Sequence, residues 1–358
     1  MQVTVTPCNE SQKKVIPTDE DKLGFGRHFS DHMFMMNYNP DQGWHDARIV
    51  PFGPLTLSPA SMVLHYGQEV FEGLKAYHGP DGSVRLFRQR DNFERLNRSC
   101  DRLVIPLVDV DVMCEATRQL VLLDQAWIPR SPGCSLYIRP TIVATDPFLG
   151  VAASQTYLCY IIIGPVGAYY PEGFNPVGIW ASDEYVRAVR GGMGEAKTGG
   201  NYAGSLKAQM AARKAGYSQV LWLDALERKY IEEVGTMNIF FKINGTVITS
   251  PLTGSILPGI TRDSVLRLLD HWQVPVDQRR LSIDEVLAAG RDGTLEEVFG
   301  SGTAAIVTPV KEIAYKDNKL SVGDGTTGPL AQRLYDSILA LQYGTGDDPF
   351  GWSERIDN

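Results

Sequence analysis

The sequence predicts an α+β fold in two domains, and three observations carry the prediction. At 358 residues the chain is longer than one hydrophobic core usually organises. In both halves, runs of strand-like alternation stand apart from runs of helical periodicity, which argues against a strict βαβ repeat. Between the halves, PVGAYYPEGFNP (165–176) concentrates proline and glycine, as an interdomain linker does. The expected division is a smaller α+β domain over 1–164, the linker, and a larger domain over 177–358 carrying the lysine discussed below.

In chain order, GLKAYHGPDGSVRLFR (73–88) reads as a β-hairpin about the turn Gly79-Pro80-Asp81-Gly82, its second strand ending at Arg88. DNFERLNRSCDRL (91–103) places Phe93, Leu96, Cys100 and Leu103 at helical spacing with Asp91 as N-cap. A second helix is expected through VMCEATRQLVLLDQAW (112–127), then strands in SLYIRPTIVAT (135–145) and TYLCYIII (156–163). Beyond the linker, QVLWLDALERKYIEE and NIFFKINGTVITS alternate strands with turns, and TRDSVLRLLDHW reads as a helix following Pro258-Gly259.

Composition narrows the function. Apolar residues make up 43% and charged residues 21%, the balance of a soluble globular chain. A net charge of −8 without a basic run argues against nucleic acid, whose phosphates demand a positive footprint. The apolar run Tyr157–Ile163 falls far short of the ~20 residues that span a bilayer, so no membrane is expected. MQVTVTPCNESQKK lacks a secretory pattern, and five widely spaced cysteines (Cys8, Cys100, Cys114, Cys134, Cys159) suit reduced thiols in a cytoplasm. No C-x-x-C or H-E-x-x-H spacing calls for a metal.

GGMGEAKTGGNY (191–202) nearly spells the nucleotide-binding G-x-x-x-x-G-K-T. That loop needs a buried strand before it and a helix starting at Lys197-Thr198. Here the charged DEYVRAVRGG precedes it, Ala196 replaces a glycine, and the two glycines of GGNYAG oppose a helix start. A plain solvated lysine is the alternative, but Gly191, Gly192, Gly194, Gly199 and Gly200 let backbone approach a ligand closely. Elsewhere, LPGIT (257–261) puts the amides of Ile260 and Thr261 at the positive end of a helix, GSGTA (300–304) can form an anion-binding nest, and Arg88 ends a strand. Several phosphate grips with one lysine suit a cofactor bearing a phosphate and an aldehyde. Pyridoxal phosphate is such a cofactor, and its ring nitrogen needs an acid.

EVGTMNIF (233–240), VIT (247–249) and LPGITR (257–262) together resemble the signature of the class-IV, fold-type IV pyridoxal-phosphate aminotransferases. FSDHMFMMNYN, LHYGQEVFEGLKAY, VRLFR, SLYIRP, GPVGAYYPEGF, EAKTGGNY, VLWLD and EVFGSGTAA extend the resemblance from Phe29 to Thr308, toward the branched-chain amino-acid aminotransferases. The resemblance implies pyridoxal 5′-phosphate in a cleft between two domains, a homodimer, and ping-pong transamination of L-leucine, L-isoleucine and L-valine with 2-oxoglutarate.

It makes Lys197 the Schiff-base lysine and proton carrier, Glu233 the partner of the ring nitrogen, and Tyr202 the partner of the phenolic oxygen. Arg88, Ile260, Thr261 and Thr303 would hold the phosphate, with Thr236 and the amides of Thr303 and Ala304 near the substrate's α-carboxylate. Phe25, Tyr66, Phe71 and Tyr169 match the apolar pocket, for which ordinary core packing is the plain alternative. Tyr137 and Arg139 would turn toward a second carboxylate; otherwise Arg139 is a surface ion pair.

At Ala305 and Thr308 mammalian relatives carry a C-x-x-C pair, so no thiol switch is possible there. The alternatives are a D-amino-acid aminotransferase or an aminodeoxychorismate lyase of the same fold, or a non-catalytic phosphate or nucleotide binder for which Lys197 is dispensable. HYGQEVFEGLKAY and YIRP favour the L-branched-chain reading.

Overall fold

The computed structural model describes residues 1–167 and 174–357. Part of the expected linker, including Tyr169, lies outside the described residues. The chain divides into two compact units: Met1–Tyr169 with Ala196–Gly199 and Leu339–Asn358, and Tyr170–Glu195 with Gly200–Ile338.

In the first unit the elements are β1 (Thr4–Val5), β2 (His32–Asn39), β3 (Gly43–Pro51), α1 (Met62–Tyr66), β4 (Glu69–Phe71), β5 (Leu74–His78), β6 (Val84–Phe87), α2 (Gln89–Arg102), α3 (Val110–Leu123), β7 (Ser135–Ala144) and β8 (Tyr157–Val166). The sheet runs β1-β3-β2-β8-β7-β5-β6, closed at one edge by the C-terminal strand Ser353–Arg355, with β4 paired to β7. Strand alternation decides what each face does. Leu136, Ile138, Ile142 and Ala144 of β7 join Phe93, Leu96 and Cys100 of α2 and Met113, Ala116 and Leu120 of α3 in one dry core. Each such large side chain contributes about 1.5–3 kcal/mol by leaving water. The intervening Tyr137, Arg139 and Thr141 therefore belong to the opposite face.

The second unit contains β9 (Val177–Ser182), all but the first residue of α4 (Gly199–Lys214), β10 (Gln219–Leu223), β11 (Ile231–Val234), β12 (Met237–Ile243), β13 (Thr246–Thr249), α5 (Ile260–His271), β14 (Val276–Gln278), α6 (Ile283–Arg291), β15 (Leu295–Gly302), β16 (Ile306–Tyr315), β17 (Asn318–Ser321) and most of α7 (Pro329–Tyr343). Its sheet runs β11-β10-β9-β16-β15-β12-β13-β14, with β17 on β16. Ala208 and Ala212 of α4 pack with Val220, Trp222 and Ala314.

The expected hairpin forms, its turn closed by the Gly82 amide on the Gly79 carbonyl at 2.9 Å. Two local expectations are corrected. Asp91 is not the cap of α2: the helix begins at Gln89, after Arg88 in the left-handed region at φ 51°, and the Asp91 carboxylate instead pairs with Arg88 Nε at 2.6 Å. The glycines of GGNYAG do not prevent a helix, for α4 starts at Gly199. A Cβ on Gly199 would meet the Glu69 carboxylate, which accepts the Gly199 N–H and so satisfies one of the helix's opening donors. Helix propensity lost to tertiary context at this point.

Candidate active site

The first unit gathers its polar and aromatic groups on the sheet face turned away from α2 and α3. Register places Glu69 and Phe71 of β4 opposite Val143 and Thr141 of β7, and Tyr160 of β8 opposite Thr141. Because side chains alternate, Tyr137, Arg139, Thr141, Tyr160, Glu69 and Phe71 share that face. The Phe25 ring meets Tyr137 edge-on at 4.8 Å. Arg139 Nη2 donates to the Tyr137 hydroxyl at 2.9 Å, and its guanidinium lies 4.7 Å from the centroid of the Phe71 ring. Lys197 Nζ lies 4.8 Å from the same centroid. A solvated loop lysine would not be held this way.

Its backbone is held from both sides. The Lys197 amide donates to the buried Ser99 Oγ of α2 at 2.9 Å, and the Lys197 carbonyl accepts the Phe71 N–H at 3.0 Å. Within Phe71-Glu72-Gly73 each residue has a separate task. Phe71 presents its ring. Glu72, fully buried, takes Arg95 of α2 in a two-point pair at 2.7 and 2.9 Å. At Gly73 a Cβ would overlap the Tyr137 hydroxyl. Arg88, 7% exposed, lies 4.8 Å from the Trp352 ring. Tyr66 ends α1, is 42% exposed, and donates its hydroxyl to the Leu149 carbonyl.

The second unit builds an acid and an anion grip. Glu233, 2% exposed, sits in β11 across from Asn238 of β12, and Asn238 in turn lies across from Ser301 of β15. Register thus aligns the acid with the Gly300-Ser301-Gly302 segment. Asn238 Nδ2 donates to Glu233 Oε1 at 3.0 Å and to the Leu257 carbonyl at 2.9 Å, and the Leu257 amide reaches the same carboxylate oxygen at 3.3 Å. The chain then turns at Gly259, the N-cap of α5, so the amides of Ile260 and Thr261 stand at that helix's positive end. A Cβ at Gly259 would overlap Asn238 Oδ1. Thr236 is exposed in the two-residue turn between β11 and β12, Thr303 and Ala304 follow β15, and Tyr202 lies in the first turns of α4.

Sequence reasoning missed the residue that holds the acid. Arg187 Nε lies 2.6 Å from Glu233 Oε2 with both side chains buried, while Arg187 Nη1 donates to the carbonyls of Gly194 and Ser255 at 3.2 and 3.1 Å. The only signal was an arginine within DEYVRAVRGG. A buried pair of this kind adds little net stability, but removing one partner strands the other's charge. Arg187→Met is therefore expected to lower stability by about 3–5 kcal/mol, read from the midpoint of urea unfolding. A loss below about 1 kcal/mol would show that the pair is solvated and inconsequential.

Comparison with known proteins decides the family. The amino-transferase class IV family model matches residues 69–313. Branched-chain-amino-acid aminotransferase 2 of Bacillus subtilis (strain 168) is 57% identical over 97% of this chain and 95% of its own. The chain belongs to the class IV aminotransferases, in their branched-chain group. The aminotransferase of Mycolicibacterium smegmatis is 46% identical over 93% of this chain and 92% of its own. Among solved structures, the T.th. branched-chain amino acid aminotransferase with pyridoxamine 5′-phosphate is similar at a TM-score of 0.76 and 30% identity, covering 90% of this chain and 98% of that one. That of Escherichia coli gives a TM-score of 0.73 at 31% identity, over 92% and 99%. Among the described residues of this aminotransferase no helix is long and apolar enough to cross a membrane.

Proposed function

We propose that this chain transfers the amino group of L-leucine, L-isoleucine and L-valine to 2-oxoglutarate, giving branched-chain 2-oxo acids and L-glutamate with pyridoxal 5′-phosphate as cofactor. The observation that carries the reading is the Phe71 ring with Lys197 Nζ at 4.8 Å and the Arg139 guanidinium at 4.7 Å from its centroid. An amine for the chemistry, an aromatic surface for an aliphatic side chain and a cation for a second carboxylate are thereby brought together. A transaminase with two unlike substrates needs all three.

The residues present fit the cofactor. Glu233 is an acid buried without service to an apolar core, and the amides of Ile260 and Thr261 with the Gly300–Thr303 segment suit a phosphate. Bound pyridoxal phosphate supplies an aldehyde that takes up the amino group and a ring that accepts the electrons left when the Cα proton departs. Lys197 would be the covalent anchor and the amine that moves that proton. Glu233, held by Arg187 and Asn238, would serve the ring nitrogen and Tyr202 the phenolic oxygen, while Arg88, Ile260, Thr261 and Thr303 would hold the phosphate. Thr236 with the amides of Thr303 and Ala304 serves the α-carboxylate. Phe25 and Phe71 would receive the aliphatic side chain, and Tyr137 with Arg139 the second carboxylate, while Tyr66, exposed and bonded to the Leu149 carbonyl, stands apart from this group within the chain. We assign the active form to a cytoplasmic homodimer, to be checked by sedimentation at the mass of two chains.

Initial rates measured with L-leucine and 2-oxoglutarate varied together are expected to give parallel double-reciprocal lines, as ping-pong kinetics require. Turnover of D-alanine without L-leucine would move the chain to the D-specific branch.

A further inference from the structure

One neutral side chain stands between the acid and the phosphate grip of the second unit. Asn238 of β12 is buried and lies directly across from Glu233 of β11, so the two side chains share a face. Its Nδ2 carries two hydrogens and meets two acceptors, Glu233 Oε1 at 3.0 Å and the Leu257 carbonyl at 2.9 Å. Both acceptors lie at the same end of the amide, which fixes that end as nitrogen. The Leu257 N–H returns to Glu233 Oε1 at 3.3 Å and closes the set. At the other end of the amide, Oδ1 fills the space that a Cβ on Gly259 would need. Asn238 therefore meets the acid, the residue before Pro258 and the N-cap of α5 at once.

The residue type matters. Hydrogen bonds donated to a carboxylate favour its ionised form. A second cation here, beside the Arg187 that already lies 2.6 Å from Glu233 Oε2, would compete with a protonated ring nitrogen for the same acid. An aspartate would have no hydrogen to give and would oppose the charge of Glu233. Asparagine stabilises the carboxylate without neutralising it, and its second hydrogen holds the carbonyl that leads into Gly259 and the amides of Ile260 and Thr261. We propose that Asn238 is a positioning residue that couples the two ends of the cofactor site. It keeps Glu233 ionised and oriented for the ring nitrogen, and it holds the Leu257–Gly259 turn in the shape that presents the Ile260 and Thr261 amides to phosphate. Asn238 acts through Glu233 and the turn rather than on the reacting atoms. The inference rests on the proposed function, which gives Glu233 and these amides to pyridoxal phosphate.

The test is Asn238→Ala in the full chain, with two readouts that a merely structural role would leave alone. The protein is loaded with pyridoxamine 5′-phosphate carrying a nitrogen-15 label in its ring, whose resonance reports whether that nitrogen is protonated. The dissociation constant of inorganic phosphate, measured by calorimetry on the chain without cofactor, reports the turn. Wild type is expected to show the protonated position. In Asn238→Ala the resonance should move downfield, toward the unprotonated position, and phosphate should bind about three- to tenfold more weakly, the scale of one lost hydrogen bond. Gly259→Ala supplies the second arm: its methyl meets Asn238 Oδ1, so it should shift the ring resonance in the same direction although the substitution is made in the turn. In the Asn238→Ala background that methyl has room. It should then bring no further shift and weaken phosphate binding by less than about twofold more.

An unshifted resonance with wild-type phosphate binding in Asn238→Ala would show that the side chain only fills space, and a change confined to one of the two ends would equally overturn the coupling. So would a Gly259→Ala effect that is the same with and without Asn238. Should Asn238→Ala not fold, Gly259→Ala decides by itself, since it leaves Asn238 in the chain: the downfield shift is expected, and its absence refutes the proposal. Failure of the underlying function is separately visible, since wild type itself would then leave pyridoxamine 5′-phosphate unbound or its ring nitrogen unprotonated.

Discussion

Replacing Lys197 by alanine is expected to abolish transamination, with a loss of at least about 10⁴-fold in kcat/KM, because in the proposed reaction one side chain would serve as both covalent anchor and proton carrier. The fold should survive. The contacts that fix this segment are made by backbone: the Lys197 N–H to Ser99 Oγ at 2.9 Å and the Phe71 N–H to the Lys197 carbonyl at 3.0 Å. Alanine retains both. The side chain over the Phe71 ring is removed while the backbone contacts stay, so circular dichroism and the unfolding midpoint should stay near those of wild type. Turnover at the wild-type rate in this variant would end the covalent assignment and return the chain to the class of phosphate binders.

Glu233→Gln is expected to lower kcat by about 10²–10³-fold while the cofactor remains bound. The amide can still accept from Asn238 and from the Leu257 N–H, which now reach Oε1 at 3.0 and 3.3 Å. What disappears is the negative charge that would keep the ring nitrogen protonated. Arg187, 2.6 Å from Oε2, is left facing a neutral group, so some stability is lost as well. The two effects separate by measurement: cofactor retention after gel filtration and the urea midpoint report binding and folding, and the half-reaction with L-leucine reports chemistry. An unchanged half-reaction rate would refute the assignment of Glu233.

How far the sequence could be read depended on how local each signal was. The hairpin at Gly79–Gly82 and the start of α5 at Ile260 were legible because turn residues and capping geometry act over a few positions. The start of α4 was not. Its two glycines count against a helix until Glu69, remote in sequence, is seen to occupy the space a Cβ would need. An aspartate ahead of a helical pattern points to a cap, whereas the partner Asp91 takes is Arg88, held in a left-handed conformation that no pattern of apolar residues reports.

The same limit applies to the site. Glu233 and Lys197 lie in motifs that can be recognised, but the pairing of Arg187 with Glu233 and of Arg95 with Glu72 joins residues far apart in the chain. Neither arginine carries a local mark distinguishing it from a solvated one. Aromatic residues divided similarly: Phe25 and Phe71 are drawn to Tyr137 and Arg139, while Tyr66 is 42% exposed and bonded to the Leu149 carbonyl.

On the proposed function this chain holds pyridoxal phosphate on Lys197 and loads it with the amino group of a branched-chain L-amino acid. The most direct test of this function is the visible absorption spectrum of the purified protein before and after L-leucine is added without any oxo acid. A yellow protein is expected, its long-wavelength band collapsing on that addition and returning when 2-oxoglutarate follows. A protein that stays colourless when supplied with pyridoxal phosphate, or a yellow one whose band ignores L-leucine, would contradict it.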